Sequence, residues 1–403
     1  MSKDKHNKAY KVLSNERSKT IARNLARIDG RDEPAKPAHE DSRCLACHSI
    51  PGLPEPAYAE LGKARRLNDG VQCESCHGSA DGWLREHTQV DAWQKKTPEQ
   101  KKSLGMNDMK ELWARAKVCA GCHVGTSGGE QVVARDAFHD IMAAGHPPLG
   151  GDYNPAAKFE FSNFHATLGD RGARHWIEWD KSPDFDVRLW LSGQVAAAQT
   201  ALELLAGRAK AAATGKAPWP EFAEYECSAC HHDLDEPSWP QKRGYGSRRP
   251  GSLPWGTWYF IMVKGLPGME QGSGKAIVEQ LDVLEKLMNE PYPDANKVAN
   301  AAGLAAAALG KWWASDGMKG LKTQELERII KEWTKAGQNT ERLDRDAATQ
   351  LYLALVALNE TAKNAKVRDS LKSVIQRLDT RPRDYEPEKF REELQKLQSQ
   401  LGQ

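Results

Sequence analysis

Residues 73–77 read Cys-Glu-Ser-Cys-His, with two residues between the cysteines and a histidine directly after the second one. The same pattern recurs at three other places, namely Cys44/Cys47/His48, Cys119/Cys122/His123 and Cys227/Cys230/His231. The four pairs use all eight cysteines of the 403-residue chain, so no cysteine is left for a disulfide framework.

This spacing suits covalent attachment of haem. Two thiols three positions apart on a tight turn reach both vinyl groups of the macrocycle, and the next residue falls beneath the iron, where histidine is a standard ligand. A zinc ribbon also uses paired cysteines but does not require a histidine after each pair. A redox dithiol is expected once, in a βαβ setting. The sequence therefore predicts four haem c groups (iron), with proximal ligands His48, His77, His123 and His231.

The overall composition restricts the class and location of the protein. The net charge of +2 indicates neither nucleic-acid binding nor an anionic membrane surface. The longest apolar stretch, residues 299–309, is too short to span a bilayer, and Met1–Tyr10 lacks the apolar region of a signal peptide. Bacteria attach haem outside the inner membrane. We therefore expect a periplasmic or otherwise extracytoplasmic protein whose signal peptide has been removed, or a segment of a longer precursor.

Eight histidines remain for the distal sides of the irons. Methionine could also serve, but most of the methionines, such as Met262 and Met288, lie in apolar runs typical of a core, so bis-histidine ligation is predicted for most haems. Position favours His87, His146 and His175, with His139 and His232 in reserve and His39 and His165 as weaker candidates. His139 is predicted to lie two helical turns before His146, on the same face. Each could instead be a surface histidine or a partner of a haem propionate.

The chain is predicted to be mainly α, with three segments. Residues 1–38 form an amphipathic helix (12–28) and a connector, residues 39–245 form a loop-rich tetrahaem cytochrome domain, and residues 246–403 form a haem-free antiparallel helical bundle. The bundle is indicated by three apolar stripes, Ile277/Leu281/Leu284/Met288, Leu371/Val374/Ile375/Leu378 and Phe390/Leu394/Leu397/Leu401. Breakers separate about six helices, at Pro291/Pro293, Gly317/Gly320, Gly337 and Pro382. A further helix is predicted over 194–213, and the basic stretch 236–254 is predicted to be a linker or a segment that wraps around the protein.

The motifs and their surroundings resemble the cytochrome c-554 family of multihaem cytochromes. The likeness rests on Val71–Gly78 followed by His87, on Val118–His123, and on a wider set that includes His139–Pro147, His175-Trp176 and Trp219–Leu234, and it covers roughly residues 1–260. It implies a mostly helical domain with closely stacked, mainly bis-histidine haems. It also implies one haem without a distal ligand, which by motif order would be the haem of His48. Lys5–Tyr10 resembles a segment that normally follows an earlier haem motif, which is absent here. The resemblance makes His6 a distal ligand, to an iron in this chain or in a neighbouring subunit.

Three functions are compatible with these features. The first is electron transfer between redox partner proteins through closely spaced haems, which the ample supply of histidine ligands favours. The second is an oxidoreductase with one open haem iron that acts on a small nitrogen compound. The third is a haem subunit of a homo-oligomer, a larger complex or a filament. No residue is predicted to be catalytic, and whether the chain is an enzyme is left open.

Overall fold

The computed structural model describes residues 4–64, 66–129, 131–149, 160–163, 165, 180–232, 234–246, 248–266, 268–269, 271–315, 326–339, 344–380 and 384–401. These residues are mainly helical, which confirms the predicted fold class. Extended pairing within the described ranges is limited to isolated bridges, such as Tyr225 with Trp255. None of the described helices combines the length and the apolarity that a bilayer crossing needs.

The chain divides into two compact units. The first comprises Met1–Leu149 and Phe164–Glu178, and the second comprises Gly150–Asn163 and Trp179–Gln403. Three of the cysteine motifs therefore belong to the first unit, whereas Cys227–His231 belongs to the second together with the C-terminal helices. This division differs from the three predicted segments, in which all four motifs shared one domain.

Short helices and turns build the first unit. They are α1 (Glu16–Ile28), α2 (Ser42–His48), α3 (Glu55–Lys63), α4 (Cys73–His77), α5 (Val90–Lys95), α6 (Pro98–Ser103), α7 (Leu112–His123) and α8 (His139–Ala143), with 3-10 turns at Lys5–Lys8, Lys11–Ser14 and Glu86–Thr88. The predicted helix 12–28 is interrupted, because Asn15 is extended and caps α1 by accepting from the Ser18 amide.

Side-chain caps also start the helices that carry cysteine motifs. The Asp41 carboxylate accepts from the Arg43 amide at the start of α2, and Glu111 accepts from the amides of Trp113 and Ala114 at the start of α7. A small apolar cluster lies beneath α2 and α3 and includes Leu13, Leu45, Tyr58 and Leu67.

Longer helices build the second unit. They are α9 (Phe185–Ala213), α10 (Trp239–Arg243), α11 (Gly272–Met288), α12 (Ala295–Ser315), α13 (Leu326–Asn339), α14 (Arg345–Ala362), α15 (Ala365–Leu378) and α16 (Pro387–Leu401), with 3-10 turns at Phe222–Glu224, Cys227–Ala229 and Val263–Gly265. Helix α9 begins nine residues before the predicted start and is about 44 Å long at the usual rise per residue. It packs against α12 and α14, while α13 and α15 both pack against α16.

Most members of the apolar stripes of this unit are buried. All four members of the stripe that begins at Ile277 are fully buried, and each contributes about 2 kcal/mol to folding by leaving water. Ile375, from the second stripe, is 37% exposed, and Leu401, at the end of the third stripe, is half-buried. Gly337, predicted to separate two helices, lies two residues before α13 ends at Asn339. Because glycine has no side chain, Leu351 of α14 can pack close to this position. A Cβ atom added to Gly337 would lie only 2.4 Å from Leu351 Cδ2.

Candidate haem-binding sites

Three of the four cysteine motifs form the last turn of a helix. Helices α2, α4 and α7 end at His48, His77 and His123. Positions three and four apart on a helix share a face, so each pair of thiols lies on one side with its histidine alongside. The fourth motif is different, because only Cys227–Ala229 form a 3-10 turn and Cys230 and His231 follow it.

The thiols of the first three motifs lie close to one another. The Cys47 thiol donates to the Cys122 sulphur, which lowers the pKa of Cys122 and raises that of Cys47. The Arg135 guanidinium also reaches Cys122, with Nη1 3.7 Å from Sγ. Burial raises the pKa of Cys76 to about 11 and that of Cys119 to about 12. The cysteines of three motifs therefore meet in one region of the first unit.

His48 and His146 face each other across a gap. Their ring centres are 6.3 Å apart and their planes meet at 88°. His48 Nδ1 donates to the Ala9 carbonyl at 2.9 Å, and His146 Nδ1 donates to the Pro147 carbonyl at 2.7 Å. Burial lowers the pKa of both rings, which keeps them neutral. With Nδ1 as the donor, each Nε2 keeps a lone pair with which to bind a metal.

His6 and His123 form a second facing pair. Their ring centres are 6.2 Å apart and their planes meet at 80°. His6 Nδ1 lies 3.0 Å from the Asp4 carboxylate. Burial, assisted by the nearby His6, lowers the pKa of His123 to about 4, so this ring is neutral at physiological pH.

Both pairs fit the axial coordination of haem iron. An imidazole nitrogen binds a first-row metal at about 2 Å and lies about 1 Å from the ring centre, so two axial imidazoles on one iron have centres about 6 Å apart. Both measured separations match this span. In each pair, one histidine ends a cysteine motif and the other comes from a distant part of the chain, as proximal and distal ligands do.

A family comparison agrees with this chemistry. The family model described as cytochrome c554 and c-prime matches residues 1–78, which include the motifs ending at His48 and His77. This match covers less than a fifth of the chain, and it supports a relationship to the cytochrome c554 family. The match supports a c-type cytochrome with covalently bound haem c. Searches of curated proteins and of solved structures gave no significant match.

The resemblance to the cytochrome c-554 family implied that the haem of His48 lacks a distal ligand. The structure instead places His146 opposite His48. Helix α8 ends at Ala143, and Gly145 adopts a φ of +115°, which turns the chain so that the His146 amide donates to the Ile141 carbonyl. His139 and His146 therefore do not share a helix face as predicted, because no continuous helix joins them.

The other described candidate distal histidines have different surroundings. The His87 ring contacts Trp83 and Trp93, with centres 5.4 and 6.5 Å apart, and its Nδ1 lies 3.2 Å from the Trp83 carbonyl. Trp83 is buried and also lies against His77, at 6.4 Å. His139 lies 3.6 Å from Asp140. His232 directly follows the fourth motif and is half-buried, and His175 lies outside the described residues.

The fourth motif is held by its own set of contacts in the second unit. The Arg208 guanidinium donates to Glu224 at 2.6 Å, and the two side chains are only 12% and 11% exposed. Arg243, from the predicted linker, donates to Glu226 at 2.7 Å and stacks on Trp239. Cys227 and Cys230 are both exposed. These ion pairs tie the turn before the motif to α9 and α10.

Two residues near the sites were not singled out from the sequence. Asp4 bonds His6, and Arg135 lies between the first and third motifs. Asp4 has a local signal, since an aspartate two residues before a histidine can cap the turn that carries it. Arg135 has no such signal, because its contacts depend on the tertiary fold. Within the described part of the chain, no group of three or more His, Cys, Asp or Glu side chains could hold a bare metal ion.

Proposed function

We propose that this chain is a tetrahaem c-type cytochrome that carries electrons through closely spaced, mostly bis-histidine haems between extracytoplasmic redox partners. The observation that carries the proposal is the presence of two pairs of facing imidazoles, His48 with His146 and His6 with His123, whose ring centres are 6.3 and 6.2 Å apart. The four attachment motifs supply the haem count, and the location follows from where bacteria attach haem.

When bound, each haem iron accepts and releases one electron. The residues of the chain hold and orient it. The two cysteines of a motif anchor the macrocycle by thioether bonds, and the following histidine approaches the iron from the same side. Hydrogen bonds from Nδ1 to Ala9 and Pro147 hold the His48 and His146 rings with Nε2 directed away from the backbone. Burial keeps these rings neutral, so no proton has to leave before iron binds.

Two imidazoles on one iron leave no position for a substrate, which favours electron transfer over catalysis at those haems. The hydrogen bond between the Cys47 and Cys122 thiols supports close spacing in the first unit, because these two cysteines belong to different motifs. A role as a haem subunit of a larger complex or filament remains a prediction from the sequence. An open iron, if there is one, belongs to the motif of His77 or of His231.

The test combines haem counting with spin state. The intact mass of the holoprotein and the pyridine haemochrome absorbance should both give four haems per chain. Electron paramagnetic resonance of the oxidised protein should show low-spin iron at the His48 and His123 haems. Fewer than four haems in fully matured protein would contradict the tetrahaem proposal. Carbon monoxide binding to the reduced wild type at the haem of His48 or His123 would contradict the bis-histidine assignment and favour the oxidoreductase alternative.

A further inference from the structure

The two imidazole pairs differ in what holds their distal rings. His146 Nδ1 donates to a backbone carbonyl, that of Pro147, whereas His6 Nδ1 lies 3.0 Å from an Asp4 carboxylate oxygen. A carboxylate bonded to the outer nitrogen of a ligand imidazole increases its basicity, and a neutral carbonyl does so less. The basicity of the distal imidazole would therefore differ between the two sites, because only one of these rings is bonded to a charged side chain.

Asp4 is held in place by the backbone as well as by the ring. Its Oδ1 also accepts from the His6 backbone amide at 3.0 Å, so it caps the 3-10 turn Lys5–Lys8. The Asp4 side chain is only 13% exposed. The carboxylate is thus fixed relative to the ring, and limited contact with water weakens the screening of its charge.

The segment that carries Asp4 and His6 is hydrogen-bonded to other parts of the first unit. The His6 carbonyl accepts from the Val71 amide at 3.2 Å, just before the second motif. Further along the segment, the Ala9 carbonyl accepts from His48 at 2.9 Å. Residues 4–9 therefore contact the histidines of two haem motifs, His48 and His123, and the residues just before the second motif, so the position of the carboxylate follows from the fold.

We propose that Asp4 is a positioning residue that strengthens His6 as a ligand and lowers the reduction potential of the haem attached at Cys119 and Cys122. The inference rests on the proposed function, because it takes His6 and His123 as the two axial ligands. Ferric haem carries one more positive charge than ferrous haem. A nearby carboxylate and a more basic imidazole both stabilise the ferric form more, so the added electron is held less tightly.

The test uses the holoprotein and three aspartate variants. Asp4→Asn keeps an oxygen that can accept from the ring but removes the charge, and Asp4→Glu retains the charge. Asp69→Asn is the matched control, because Asp69 is exposed and contacts the same segment only through its backbone, which accepts from Asn7. Optical redox titration, with electron paramagnetic resonance at each potential, follows the haems separately.

In Asp4→Asn, the one-electron equilibrium constant of a single haem should change about tenfold in favour of the reduced form, which is a rise of about 59 mV. The other haems should stay at their wild-type potentials, Asp4→Glu should lie near the wild type, and Asp69→Asn should move no haem by a comparable amount. Equal titrations for Asp4→Asn and Asp69→Asn would overturn the inference, since a merely structural hydrogen bond survives in the amide.

A fourth variant separates failure of the inference from failure of the proposed function. His6→Ala should create one high-spin haem that added imidazole returns to low spin. If His6→Ala leaves every haem low-spin, the proposed ligation is wrong, and the role of Asp4 fails with it. If His6→Ala opens one iron while Asp4→Asn shifts no potential, the ligation stands and the role of Asp4 alone is refuted.

Discussion

Replacing His146 by alanine should open one further iron and leave the ligation of the other haems unchanged. The structure sets the size of the effect, because the His48 and His146 ring centres lie 6.3 Å apart, which suits two ligands of one iron, and the substitution removes one of them. If the chain binds the four haems proposed above, about one quarter of the total iron should become high-spin. The effect on folding should be small, because His146 is half-buried in a turn.

The assay is electron paramagnetic resonance of the oxidised variant, followed by carbon monoxide titration of the reduced form. We expect one more carbon monoxide per chain than the wild type binds, and we expect imidazole added to the oxidised variant to restore low-spin iron. His39→Ala is the matched control, since His39 is a partly exposed histidine that lies 3.7 Å from Glu40, and it should bind no more carbon monoxide than the wild type. A His146→Ala protein with only low-spin haem and no carbon monoxide uptake would refute the assignment of His146 as a distal ligand.

Two further predictions concern backbone positions where glycine is needed. Gly337→Ala should lower the free energy of unfolding, measured by urea titration, by about 1–3 kcal/mol, because the new Cβ would lie 2.4 Å from Leu351 Cδ2. Gly303→Ala is the control: a Cβ there meets nothing within 4 Å on another helix, so the same titration should show neutral or increased stability. Gly70→Ala should lower the free energy of unfolding by about 1–3 kcal/mol, because Gly70 has a φ of +69° and a Cβ there would lie 2.6 Å from the His6 carbonyl. A Gly70→Ala melting temperature equal to that of the wild type would contradict this contact.

The attachment chemistry could be predicted from the sequence because it is local. Two cysteines and a histidine within five residues fit a single turn, whatever surrounds that turn, and three of the motifs do form the end of a helix. The family match over residues 1–78 supports the same chemistry for the first two motifs. Local periodicity also predicted the buried stripe from Ile277 to Met288, since one helix face is enough to define it.

Properties that depend on a second segment could not be predicted in the same way. Gly337 lies close to the end of α13, as its type predicts, but the close approach of Leu351 from another helix could not be read from the sequence. Ile375 belongs to an apolar stripe on its own helix, but the folded chain leaves it 37% exposed. In both cases the decisive atoms belong to residues distant in the sequence, and no local pattern encodes where they lie.

The same distinction separates the proximal from the distal sides of the haems. The sequence by itself determined which cysteines and histidines suit attachment, since their chemistry depends only on spacing along the chain. Only the tertiary structure decided that His146 faces His48, that His6 faces His123 within one chain, and that Asp4 lies behind His6. The physical reason is that each facing pair joins two segments far apart in sequence, and their approach is set by turns, caps and backbone hydrogen bonds throughout the first unit.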